Sequence, residues 1–317
     1  MLDSMLELNF IVVIRSVDER TFGACRELVL KQIPASSLHV VSEFPFEQTL
    51  RKCYKIGMES QVKWMVTLDA DILLRESAIA DLLVEAERLP ENYFQLEGLV
   101  FDKLTGIYRK AGHRVYRVSC LKLAMQQIPE DKEEIRPEYT TIQRMEKLGY
   151  KSYLVNKAFG IHDYEQYYAD IYRKAFVHAN KHQNWLVDFI TRWKELASND
   201  SDYKIALKGL SDGLISSNVA RIDARDYTGG SKKAMLELEL KEKPSFVFCA
   251  TLPSQIEDVL IHVGPVSIEK PPSFEHKMKR LKGRYDQLGG IRFVVFIVGS
   301  LLYYLGKEIK EYVQLKE

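Results

Sequence analysis

Neither sign of charge prevails in this chain of 317 residues, where Lys and Arg total 45 against 44 Asp and Glu. A chain so balanced has no global field to draw it onto nucleic acid, and no nucleic-acid partner is expected. Cysteine is scarce. Cys25, Cys53, Cys120 and Cys249 stand far apart with no CxxC pair, which excludes a zinc knuckle or a disulfide framework and reads as four reduced, buried thiols. No basic segment precedes the first apolar stretch, since MLDSMLELNF carries two acids; a secretory signal is not expected, and the expected compartment is cytoplasmic. Internal repeats and low-complexity tracts are missing too. Phe293 to Gly306, fourteen residues without a charge, would make a helix of roughly 21 Å, short of the ~30 Å needed to span a bilayer.

What is present is an alternation. The apolar run Phe10–Ile14 reads as a strand covered on both faces. A helix follows over 21–32, a second strand over 38–42, a second helix over 46–59 and a third strand over 64–68. Strand and helix in this order predict an α/β fold with a mostly parallel, Rossmann-like sheet flanked by helices. Ligands of such sheets sit at the carboxyl ends of the strands, which places Arg15, Ser16, Ser42, Glu43, Asp69 and Asp71 on one rim. A β-meander is expected over 94–119, a helix opened by Pro137, a strand over 150–155, then helices over 164–196 and 202–222, and a loop over 226–233 around Gly229-Gly230.

Asp69-Ala70-Asp71 is the most informative triplet. Two carboxylates delivered to a rim by a buried strand need a cation between them, and hard oxygen donors of this kind suit Mn²⁺ or Mg²⁺ bridging to a substrate diphosphate. The bland alternative is that Asp71 caps the next helix while Asp69 is solvated.

The segment VTLDADILL, after two βα units, resembles the DxD segment of nucleotide-sugar glycosyltransferases with the glycosyltransferase-A fold, particularly the bacterial family-2-like group. FIVVIRSVDER, VVSEF, LRKCYKIGMES, RPEYTTIQRMEKLGYKSYLV and FGIHDYEQYYADIYRK resemble further segments of that family in the same order, over roughly residues 8–175. The resemblance implies a metal-dependent transfer from a nucleoside-diphosphate sugar to a glycan or lipid-linked acceptor in surface-polysaccharide or glycoconjugate synthesis. It implies Asp71 and His162 as metal ligands, with Asp69 on the metal or the ribose, and Arg15, Ser16 and Glu43 along the nucleotide. Arg51 or Lys52 would approach the diphosphate, although a charged helical pair also reads as a solvated face. Glu138 would be the catalytic base, with the acids of 130–134 as a competing source and a first-turn helix-dipole partner as its plain alternative. The family usually has two adjacent acids at this place; here Pro137-Glu138-Tyr139 supplies one.

Other classes remain open at this level. A haloacid-dehalogenase-type phosphatase also uses a DxD pair, but its motif opens the domain and continues with Thr or Val where this chain has Leu73. A non-catalytic scaffold resembling a glycosyltransferase would tolerate the incomplete acidic motif. The organisation expected is a catalytic domain over 1–175, a helical region over 176–240 and a basic and apolar tail over 241–317. In that tail five Lys or Arg lie within 276–284, and the uncharged stretch follows. Together they predict peripheral contact with the inner face of the plasma membrane through 276–306.

Overall fold

The computed structural model describes residues 9–181, 185–216 and 224–263, together with positions 289, 290, 294 and 298. The chain is α/β. Strand β1 (Phe10–Arg15), helix α1 (Phe22–Leu30), β2 (Leu38–Val41), α2 (Phe46–Glu59) and β3 (Trp64–Asp69) form the expected opening. β1 lies between β2 and β3, parallel to both. The apolar run of β1 is continuous because both its faces are covered. Phe10, Val12 and Ile14 pack with α1 and with α3 (Ala78–Glu87), while Ile11 and Val13 pack with α2 on the opposite face.

Beyond β3 the sheet ceases to be mostly parallel. β4 (Ile72–Leu74), β5 (Tyr93–Asp102), β6 (Ile107–Arg109), β7 (His113–Arg117) and β8 (Lys151–His162) complete an eight-stranded sheet. Its order is β2-β1-β3-β7-β5-β8-β4, with β6 on β5. β3–β7, β5–β7, β5–β6 and β4–β8 are antiparallel, and β5–β8 is parallel. The meander expected over 94–119 is β5 to β7, and the strand expected over 150–155 runs on to His162. Helices α4 (Leu121–Gln126) and α5 (Pro137–Lys147) cover the α2 face.

Two residues, Ala70 and Asp71, join β3 to β4, although four strand spacings separate them in the sheet. A flat sheet would need ~19 Å there, whereas so short a link spans at most ~10 Å. The sheet therefore curls, and β4 returns beside the end of β3.

A third core lies among α6 (Tyr168–Lys181), α7 (Leu186–Leu196), α8 (Ser201–Ile215) and α9 (Thr228–Glu237), and α10 (Leu252–His262) packs on the sheet through Leu252 and Ile256. Position 175, where the sequence suggests a boundary, lies inside α6. The loop expected at 226–233 is corrected: from Thr228 the chain is helical, with Gly229 and Gly230 inside α9. A Cβ on Gly230 would stand 2.8 Å from the Tyr172 hydroxyl, so the glycine serves close packing of helices where a turn was expected. Cys249 is exposed, contrary to expectation. In the extended segment before α10, Phe246 and Phe248 turn to the core and the alternation leaves Val247 and Cys249 outside. Among the described residues no helix is long and apolar enough to cross a membrane; the tail segments 276–284 and 293–306 lie outside the described residues except for Val294 and Val298.

The β4–β8 contact leaves no room at Gly160, where a Cβ would lie 2.4 Å from the Leu73 carbonyl oxygen and 3.0 Å from Leu74 Cα. Gly160→Ala is expected to push this edge pair apart and to lower stability by about 1–3 kcal/mol in urea unfolding. A wild-type midpoint would contradict the close approach.

Candidate metal and nucleotide site

The curl of the sheet assembles the site. Antiparallel register pairs Ile72 with His162, and the amide of Asp163 donates to the carbonyl of Asp71 at 3.2 Å. On the other side of β8, parallel register pairs Asp102 with His162. Three acids from three segments thus surround one imidazole, and all four side chains are buried.

His162 Nδ1 lies 2.7 Å from Asp102 Oδ2, and Arg109 Nε donates to that same oxygen at 2.6 Å. This leaves Nε2 facing Asp71 Oδ1 at 3.6 Å. A carboxylate behind Nδ1 fixes the tautomer and orientation of a metal-binding imidazole. Asp71, His162 and Asp163 each present a ligand atom, all within 4.8 Å of one another. Asp71 Oδ1 is buried and receives no hydrogen bond, while Asp163 Oδ2 lies 3.1 Å from His162 Nδ1. An unpaired buried carboxylate oxygen is costly, and a hard divalent cation would satisfy it. The residues fit such an ion.

Charge in the cluster is matched from within. Burial opposes ionisation of Asp71, but Lys174 and His162 outweigh it and hold the carboxyl below its ordinary range. Asp163 is lowered in the same way, against burial, by His162 and Lys174. Burial disfavours a charged His162, yet Asp163, Asp71 and the bond to Asp102 raise it to about 9.

The cluster opens on a cavity of about 280 Å³ whose lining includes Arg15, Ser16, Glu43, Asp69, Asp71, Glu138 and His162. Arg51 is not among the lining residues; it is half-buried, and its guanidinium donates to the carbonyl of Pro129 at 3.1 Å. Ser16 donates to Glu19 at 2.8 Å. Burial, and after it the charge of Asp71, pushes Glu19 up to about 7. Asp69 stands apart from the metal-capable group: its Oδ1 accepts from Arg15 Nε at 2.7 Å.

Glu138, expected as a base, is committed elsewhere. Oε1 accepts from Arg15 at 2.6 Å and from the Tyr116 hydroxyl at 2.8 Å, while Oε2 pairs with Arg114. Burial is outweighed by Arg114 and Arg15, which lower Glu138 to about 2. A carboxylate so stabilised is a weak proton acceptor. Its place is that of a latch between α5 and strands β1 and β7.

Sequence reasoning did not single out Asp102, Asp163, Arg109 or Lys174. Asp163 had a signal, as the acid directly after His162, and Asp102 another, as an acid ending an apolar strand. Lys174 had none, because only the docking of α6 brings it to the rim.

No protein-family model matches the chain, and no curated protein matches it. Solved structures do. One is a glycosyltransferase involved in glycosylation of the major capsid of PBCV-1, 12% identical, with a TM-score of 0.36 over 49% of this chain and 92% of the other. Another is the mannosyltransferase PcManGT from Pyrobaculum calidifontis in complex with GDP-Man and Mn²⁺, 12% identical, with a TM-score of 0.38 over 72% and 80%. A third is a cytidylyltransferase from Leptospira borgpetersenii, 16% identical, with a TM-score of 0.35 over 61% and 96%. At these identities and scores none of them assigns a substrate or a reaction to this chain.

Two outcomes follow from the geometry. Glu138→Gln removes the charge that pairs buried Arg15 and Arg114, and is expected to cost about 3 kcal/mol in urea unfolding; unchanged stability with lost turnover would restore it as a base. His162 is raised from 6.5 to about 9 in the folded state, so its contribution to stability is complete below pH 6.5 and is lost as pH rises through about 9. Urea unfolding of chelator-treated protein is expected to show that decline, and His162→Gln to flatten it. An equal slope in the variant would place the titration elsewhere.

Proposed function

We propose that the cavity binds a nucleoside-diphosphate sugar together with Mn²⁺ or Mg²⁺, and that the chain is a glycosyltransferase acting on a glycan or lipid-linked acceptor. The single observation that supports this reading is the convergence of Asp71, His162 and Asp163 at the strand-end rim, with a buried Asp71 oxygen that receives no hydrogen bond. In it, Asp71, Asp163 and His162 Nε2 hold the ion, and Asp102 accepts from Nδ1 to keep the imidazole in place. A bound divalent ion would supply charge neutralisation at the departing diphosphate, where most of the catalytic stabilisation is needed. Burial pushes Asp69 up to about 6 against the opposing charge of Arg15, which also holds its carboxyl at the rim where ribose is expected, and Ser16 and Glu43 line the same cavity. The latch at Glu138 holds Arg15 and Arg114 in fixed positions on the cavity wall. A peripheral membrane contact through 276–306 belongs to the same proposal, since it would bring the site to a lipid-linked acceptor.

Asp71→Asn is expected to abolish Mn²⁺-dependent affinity for nucleoside diphosphates in isothermal titration. It keeps the side-chain volume and opens no cavity, and the lost pair with Lys174 lowers stability without preventing folding, which circular dichroism of the variant checks. Metal-dependent affinity equal to wild type would remove Asp71 from the site. A thermal-shift screen of nucleoside-diphosphate sugars, each with and without Mn²⁺, identifies the donor.

A further inference from the structure

α6 runs past the rim with Lys174 directed into the metal-capable group. Its ammonium lies 2.5 Å from Asp71 Oδ2 and pairs also with Asp163 Oδ1. The side chain is only 12% exposed and lines the cavity. One ammonium thus bridges the two carboxylates that a divalent ion would bridge. Asp71 and Asp163 carry two negative charges with the Lys174 ammonium between them, while Arg109 pairs with Asp102 behind the imidazole. A divalent ion would match those two carboxylates alone, whereas one entering beside the retained ammonium would set three buried positive charges against two negative, which a low-dielectric interior does not tolerate.

We propose that Lys174 is the resident cation of this site, holding Asp71 and Asp163 until a divalent ion displaces its ammonium into the cavity. The inference rests on the metal reading given above and adds an order of events to it. Lysine suits the role because its charge is compact and carried on a flexible four-carbon stem, so it can leave two oxygens without movement of the helix. Once released, the ammonium faces the cavity in which the diphosphate of a donor would lie. The donor would then meet both the ion and a freed lysine, and ion loading would precede tight donor binding.

The test uses the full chain and Mn²⁺ alone. Free Mn²⁺ is followed by electron paramagnetic resonance during titration of wild type, Lys174→Met and Asp71→Asn. In parallel, acetylation of Lys174 by an amine-reactive ester is mapped by mass spectrometry with and without Mn²⁺. Lys174→Met is expected to bind Mn²⁺ about tenfold more tightly than wild type or better, because no buried ion pairs are broken on loading. In wild type, Mn²⁺ is expected to raise the acetylation rate of Lys174 several-fold. Unchanged or weaker Mn²⁺ affinity in Lys174→Met would overturn the inference. So would tighter binding with no change in acetylation of the wild-type lysine, which would make Lys174 a fixed charge acting at a distance. Should Lys174→Met fail to fold, the acetylation of wild type decides alone. Absence of Mn²⁺ binding in both wild type and Lys174→Met, or binding indifferent to Asp71→Asn, would defeat the metal reading itself; binding that depends on Asp71 but not on Lys174 would defeat only the displacement.

Discussion

The two-residue link between β3 and β4 is the constraint on which the site depends. Because Ala70 and Asp71 must carry the chain from a central strand to the far edge of the sheet, the sheet has to curl. Curling sets Asp71 against the end of β8, and the ladders on either side of β8 bring Asp102 to the same imidazole. Gly160 is the local consequence, a position where β4 and β8 approach too closely for any side chain. Geometry that a flat parallel sheet could not offer thereby gathers three carboxylates at one rim.

Gathering them creates an electrostatic problem that the remaining residues answer. Three buried acids can stay ionised only beside cations. Arg109 answers for Asp102, and Lys174 answers for Asp71 and Asp163. A second network, Arg15 and Arg114 around Glu138, fastens α5 to the sheet on the other side of the cavity. The two networks meet through Arg15 and Asp69. On the Glu138 side the cavity is therefore walled by groups whose charges are fixed in place before any ligand arrives, the condition under which electrostatic stabilisation is most effective.

Legibility in the sequence followed the range of the interactions. The opening strands and helices could be read because their signals are local: continuous apolar runs for doubly covered strands, and Pro137 at the first position of its helix. Asp71 and His162 could be singled out through a family resemblance in the order of motifs. The antiparallel second half was legible only as a meander, since strand order depends on contacts between distant segments. Gly229-Gly230 misled because a glycine pair signals a turn equally well when its purpose is close approach to Tyr172. Glu138 could be placed at the cavity, but its pairing with Arg15 and Arg114 could not be read, because these partners are 123 and 24 residues away in the chain. Lys174 was invisible for the same reason, being 103 residues from Asp71.

The central claim is that Asp71, His162 and Asp163 form a site for a divalent cation. A crystal of the full chain grown with MnCl₂, with diffraction recorded at a wavelength where manganese scatters anomalously, tests it most directly. The account predicts an anomalous peak bonded to a carboxylate oxygen of Asp71, a carboxylate oxygen of Asp163 and Nε2 of His162, with His162 Nδ1 still on Asp102. A map with no peak between these three side chains, at manganese concentrations that saturate the protein in solution, would contradict it.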